Sequence, residues 1–201
     1  QQGAVLMKWL PGAQNIRPDD PRCEAMYEIL AHYKIPLLAH TGSEHLLKNY
    51  PNSFNDPLRL VAALKRGVTV IAAHCGTRLF LHESSYFKSW QRLARDYERC
   101  YGDISAFGVC TRVGPLKTVL REPDLCSKIV YGSDFPVLMM PLHVSGAVGL
   151  WRALELRRIT NPFDLAVETM RELGVPPQVF ARGAELLRIV GEKKQANYYH
   201  P

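Results

Sequence analysis

The sequence predicts an α/β fold built on a parallel sheet, and three observations carry that expectation. Short, largely apolar runs at 4–7, 35–39, 68–73 and 129–131 read as strands buried on both faces, because a half-exposed strand would alternate polar and apolar residues. Segments with helical spacing lie between them, so strand and helix take turns five times. From Pro141 onward the pattern is helical almost throughout.

Residues 4–7, Ala-Val-Leu-Met, form the first strand and open into a loop at Lys8-Trp9-Leu10-Pro11. The stretch 12–20 is rich in Pro, Asn and Asp without helical period, which predicts a loop. Pro21 suits a helix start, with Asp19 and Asp20 as cap candidates and Cys23, Met26, Tyr27 and Leu30 at helical spacing up to Tyr33. The second strand, 35–39, ends on His40-Thr41-Gly42, and a polar loop runs through Asn55. Asp56-Pro57 caps the next helix, which carries Leu60, Val61 and Leu64 and stops at Gly67. The third strand, 68–73, ends on His74-Cys75-Gly76 and leads through a longer connection to an amphipathic helix over 87–97. A weaker fourth strand, 100–104, contains Asp103 and leaves at Ser105, and residues 115–120 supply its helix. The fifth strand, 129–131, is broken by Gly132, which holds Asp134 just past the strand end, and Pro136 stops further pairing. Helices follow over 144–156, 163–173 and 177–189, with a polar tail over 192–201.

At 201 residues, 47% hydrophobic and 22% charged, the chain has ordinary globular composition and reads as a single domain over 1–201. No apolar run approaches the ~18 residues that a membrane span needs, so no membrane partner is expected. The net charge of +6 is spread over scattered pairs such as Lys65-Arg66, Arg157-Arg158 and Lys193-Lys194. A nucleic-acid partner would want a clustered basic stripe, so none is expected. Five cysteines, an odd number without a Cys-x-x-Cys pair, exclude a zinc-finger or thioredoxin reading and suit free thiols in a reducing cytoplasm. The opening Gln1-Gln2-Gly3 has neither an initiator Met nor a basic n-region, so the chain is expected to start inside a longer protein.

The strand ends carry the chemistry. Lys8, His40, His74 and Asp134 fall at equivalent exits, joined by Asp103 and Ser105 on the weaker strand. In a parallel barrel those exits converge, and active sites lie there. Two imidazoles and a carboxylate are a donor set for a divalent metal such as zinc, and residues this far apart in sequence meet only on a closed or curved sheet. Each alone has a plain reading: a satisfied polar His, a turn Asp bonded to its own backbone, a snorkelling Lys. Four at matching positions favour a metal site.

These segments resemble the amidohydrolase superfamily of metal-dependent hydrolases, closest to the branch often called amidohydrolase family 2. The likeness rests on Met7-Lys8-Trp9-Leu10-Pro11, Leu38-Ala39-His40-Thr41-Gly42, Ala73-His74-Cys75-Gly76, Tyr101-Gly102-Asp103-Ile104-Ser105 and Tyr131-Gly132-Ser133-Asp134-Phe135-Pro136. The stretch 179–187 resembles the family's closing helix, with Gly183 where an Asn is usual. The resemblance implies a TIM (β/α)8-type barrel, of which this chain supplies about strands 4–8 and the C-terminal helices. The family's first strand gives a His-x-His pair to the metal, and no His-x-His occurs in these 201 residues.

The resemblance further implies that His40 and Asp134 bind a divalent metal, zinc or a similar ion, as one or two ions, with Asp134 also moving a proton. His74 is then either a catalytic acid/base or a ligand of a second ion. Lys8 is either a carboxylated ligand bridging two ions or a cationic partner for an anionic substrate group. Trp9, Arg112 and the 14–17 loop are expected on site-facing loops, where they are candidates for binding an aromatic or carboxylated small molecule. The implied activity is hydrolysis of an amide, ester, lactone or similar bond by water activated on the metal. A non-oxidative decarboxylase or hydratase of the same family uses the same ligands and is the enzymatic alternative. An inactive fragment or binding scaffold is the alternative raised by the missing His-x-His. The expected partner is a small-molecule substrate, and open strand edges would also suit a homo-oligomer.

Overall fold

The structure is a computed structural model describing residues 3–43, 51–137 and 139–188. Five parallel strands form one sheet in chain order: β1 (Met7–Trp9), β2 (Leu37–Ala39), β3 (Val70–Ala72), β4 (Cys100–Asp103) and β5 (Ile129–Val130). The connections carry α1 (Pro11–Gln14), α2 (Glu24–His32), α3 (Val61–Lys65), α4 (Phe87–Asp96), α5 (Cys110–Arg121) and α6 (Pro123–Cys126). After β5 come α7 (Ser145–Val148), α8 (Leu150–Leu156), α9 (Pro162–Glu172) and α10 (Pro177–Leu186).

Register decides what each strand offers to either side. Trp9, Ala39, Ala72 and Gly102 stand side by side, as do Lys8, Leu38, Ile71 and Tyr101. Successive side chains point to opposite faces, so these two rows cannot share one. The Trp9 row faces the helices: Trp9 packs on Tyr27 of α2 at 6.3 Å between ring centroids. Trp90 of α4 is fully buried against the Gly102 position, where an added Cβ would stand 2.6 Å from its Nε1.

The ladder starts later than the apolar runs suggest. Pro36 has no N–H, so β2 begins at Leu37, and β1 begins where Met7 N donates to the Pro36 carbonyl at 3.0 Å. Lys8 and Trp9 therefore lie inside a strand rather than in the loop after it. The region expected as a loop over 12–20 holds the single turn α1, too short to show a helical period, which ends at Asn15 with φ 53°. Of the cap candidates, Asp20 and Asp56 cap, whereas Asp19 pairs with Arg17 and Arg59 instead. Asp20 accepts from Arg22 N at 2.9 Å, and Asp56 accepts from Leu58 N at 3.0 Å. Each caps a 3₁₀ turn leading into α2 or α3 rather than the α-helix directly.

Pro115, read as a helix start, lies inside α5. Gly114 before it lacks the Cβ that would crowd the proline ring, which lets the helix continue. The helix expected over 144–156 is interrupted at Gly149, whose φ of 90° separates α7 from α8. The last helix closes on β5: Tyr131 N donates to the Val179 carbonyl at 3.1 Å, and Arg182 donates to the carbonyls of Cys126 and Ile129. The tail over 192–201 lies outside the described residues. Among the described residues no helix is long and apolar enough to cross a membrane.

All five cysteines are unpaired. Burial pushes the Cys100 thiol up to about 12 and holds Cys75 well above its ordinary range. A thiolate-directed reagent at pH 8 is therefore expected to label exposed Cys110 first and half-buried Cys126 slowly. Cys23, Cys75 and Cys100 should react only after unfolding. Mass mapping of the labelled peptides checks this order.

Candidate active site

The exits of the strands open into one pocket with about 500 Å³ of accessible space. Lys8, His40, His74, Arg112 and Asp134 all line it, and Phe135, Pro136 and Val137 form an apolar rim. Five of the six residues singled out from the sequence thus meet. Trp9 does not: it faces α2 on the far side of β1 and is 3% exposed, so it packs the core. The alternation of a strand separates it from Lys8.

His40 follows β2, and its backbone N–H extends the ladder to the Trp9 carbonyl at 2.8 Å. Its Nε2 lies 3.3 Å from the Ser43 carbonyl, and its ring meets that of His74 edge-on at 5.2 Å. His74 follows β3 in a rarer conformation. His74, Cys75 and Gly76 all have left-handed φ, at 58°, 51° and 66°. Such angles cost a non-glycine residue about 1–2 kcal/mol each and persist only where neighbours enforce them. Here the enforcement is visible. Asp103 Oδ1 accepts from His74 N at 2.9 Å, Thr41 Oγ1 accepts from Gly76 N at 3.0 Å, and Thr77 Oγ1 donates to the His74 carbonyl at 2.7 Å.

The turn delivers the imidazole between two carboxylates. Nδ1 faces Ser105 and lies 3.9 Å from Asp103, while Nε2 faces Asp134 Oδ2 at 3.9 Å. Burial lowers the His74 pKa to about 4, against the opposing pull of Asp103 and with help from Arg112 and His40. The ring is neutral at pH 7. Asp134 sits just past β5 with φ 56°, ahead of a cis Phe135–Pro136 peptide, and its side chain is 39% exposed.

Arg112 reaches the pocket from α5 and is 3% exposed. Its Nε donates to the Arg78 carbonyl at 3.4 Å, and Nη1 to the carbonyls of Ser105 and Ala106 at 3.3 and 3.4 Å. Among the described residues no carboxylate forms an ion pair with it; burial depresses its pKa, while Asp103 and Asp134 act at longer range to raise it. Long bonds to carbonyls and the Phe107 ring, 6.0 Å from the guanidinium carbon, are what meet this buried charge, so the guanidinium is a candidate site for an anion. Lys8 lies on β1, at the edge of the sheet, and is exposed.

Two imidazoles and a carboxylate fit a divalent ion in kind. Among the described residues, however, no three His, Cys, Asp or Glu side chains converge closely enough to hold one. The Asp103–Ser105 pair is the part for which sequence reasoning supplied no role. The signal was present: a carboxylate inside a buried strand must have partners, and a serine two residues on lies on the same face.

No protein-family model matches the chain, and no curated protein does. Among solved structures it is similar to a candidate 2-pyrone-4,6-dicarboxylic acid hydrolase from Pseudomonas putida, with a TM-score of 0.55 at 11% identity. That match covers 93% of this chain and 63% of the other. It is also similar to an uncharacterised TIM-barrel protein from Bordetella bronchiseptica, with a TM-score of 0.54 at 15% identity over 85% of this chain and 58% of that one. The fold is a partial TIM barrel. The chain spans about three fifths of the length of these neighbours. Its pocket lies at the carboxyl ends of the strands, the face on which TIM-barrel enzymes carry their active sites.

Proposed function

We propose that this pocket is the active site of a metal-dependent hydrolase that acts on a small substrate bearing a carboxylate. The observation that carries the reading is the convergence of neutral His74 and Asp134, facing each other at 3.9 Å, beside a buried guanidinium that has no carboxylate partner among the described residues. His40, His74 and Asp134 are the donors this chain would contribute to a divalent ion, zinc or similar, although they do not by themselves converge closely enough to hold it; such an ion would supply an acidic water and polarise the scissile carbonyl.

This chain's own residues account for the rest. Asp134 takes the proton from the attacking water and returns it to the leaving group, a role suited to a half-exposed carboxylate at the pocket mouth. Arg112 would hold a carboxylate of the substrate through Nη2, since Nε and Nη1 already donate to carbonyls, and the apolar rim of Phe135, Pro136 and Val137 shields the reacting bond. The Pseudomonas putida neighbour, named as a hydrolase of a dicarboxylic acid, accords with an anionic substrate.

Assaying the zinc-supplied full chain against a panel of carboxylate-bearing lactones, esters and amides, each with its uncharged analogue, tests the proposal. Turnover is expected on at least one charged member. Arg112→Met is expected to raise KM for that member by roughly tenfold or more with kcat little changed, the signature of a lost ground-state contact. No turnover across the panel contradicts the hydrolase reading, and equal turnover of charged and uncharged analogues contradicts the role of Arg112.

A further inference from the structure

The His74 ring has two hydrogen-bonding neighbours on its inner side, and both belong to Ser105. The Ser105 carbonyl lies 3.1 Å from Nδ1, and the Ser105 hydroxyl oxygen lies 2.9 Å from it. A carbonyl can only accept. The hydroxyl has a single proton, and its oxygen also makes a very short contact with Asp103 Oδ1. That same Asp103 oxygen accepts from the backbone N–H groups of His74 at 2.9 Å and Ser105 at 3.0 Å, so it acts as an acceptor throughout. The hydroxyl proton therefore goes to Asp103, and Ser105 presents a lone pair to the ring.

From this geometry we infer that Asp103 and Ser105 are positioning residues that fix His74 as the Nδ1–H tautomer and turn the Nε2 lone pair into the pocket. The inference rests on the reading of the pocket as an active site and adds how that site is set. Neither residue lines the pocket, and they are 6% and 5% exposed, so they act through His74 rather than on a substrate. One carboxylate oxygen holds both the strained backbone of His74 and, through one hydroxyl, the polarity of its ring. The consequence lies on the far side of the ring. With the proton on Nδ1, Nε2 and Asp134 Oδ2 are two acceptors facing each other at 3.9 Å, an arrangement that a cation or a donating water could bridge. With the opposite tautomer, Nε2–H would instead point at Asp134. An ordinary turn-holding role for Asp103 explains its two backbone bonds but not the hydroxyl leg.

Long-range 1H–15N NMR of the full chain labelled on histidine nitrogen, at pH 7 and without added metal, reads the tautomer directly, with His74→Gln identifying the His74 signals. The expected spectrum has a protonated Nδ1 and an unprotonated Nε2. Ser105→Ala keeps the backbone clamp, and in it the Nδ1–H to Nε2–H ratio is expected to fall by roughly tenfold, the weight of one good hydrogen bond. Asp103→Asn, if it folds, should move the ratio the same way. A wild-type spectrum with protonated Nε2, or a ratio unchanged in Ser105→Ala, overturns the inference. The readout needs neither metal nor substrate, so its failure leaves the hydrolase reading standing, and failure of the substrate panel leaves the tautomer assignment standing.

Discussion

Gly42→Ala is expected to lower the unfolding free energy by about 2–4 kcal/mol, read as a fall in the urea midpoint. Two terms add. Gly42 has φ +88°, where a Cβ costs about 1 kcal/mol. The added methyl would also stand 2.3 Å from the Thr77 carbonyl oxygen and 3.4 Å from the Gly76 carbonyl carbon. Those atoms are backbone, in a turn already bound through Thr41 to Gly76 and Ala73, so they cannot swing aside as a side-chain end would. Overpacking of that kind costs about 1–3 kcal/mol. Gly67→Ala is the control: its φ is +79° and nothing lies within 4 Å, so only the conformational term, about 1 kcal/mol, should appear. Equal losses in the two variants would mean that the exits of β2 and β3 are not pressed together as described.

The second large effect falls on chemistry rather than stability. Asp134→Asn is expected to reduce turnover by about a thousandfold, within the range that a positioned proton acceptor contributes. The substitution is nearly isosteric and the side chain is 39% exposed, so stability should change by no more than about 0.5 kcal/mol. Steady-state kinetics on a substrate identified from the panel, with a melting curve beside it, separates the two. Retained activity would reject the role given to Asp134. A collapse in melting temperature would show instead that the carboxylate holds the turn.

Much of this arrangement is legible in the amino-acid sequence. Apolar runs disclose a parallel sheet, and polar, chemically capable residues at or near four strand ends point to one pocket, because parallel strands place their exits on one face. Three things are not legible there, each for a physical reason. Strand boundaries depend on which backbone groups find partners, and Pro36, lacking an N–H, moves β1 and β2 forward so that Trp9 falls on the helix side. The left-handed turn at His74 and Cys75 has only a weak local signature, since His enters positive φ more readily than most residues but Cys does not, and Asp103, Thr41 and Thr77 hold it by hydrogen bonds. The setting of Arg112 is likewise a tertiary property: the sequence places it on a site-facing loop, whereas it is buried within α5 and has no carboxylate ion pair among the described residues.

The central proposal is that the facing pair of His74 and Asp134, 3.9 Å apart, is where the pocket takes a cation. Calorimetric titration of the full chain with zinc, run beside Asp134→Asn, tests it most directly. The expected result is saturable uptake of at least one ion per chain, with affinity at least about tenfold weaker in Asp134→Asn, since even outer-shell losses have that effect. No uptake by the wild-type chain, or equal uptake by both proteins, would contradict it.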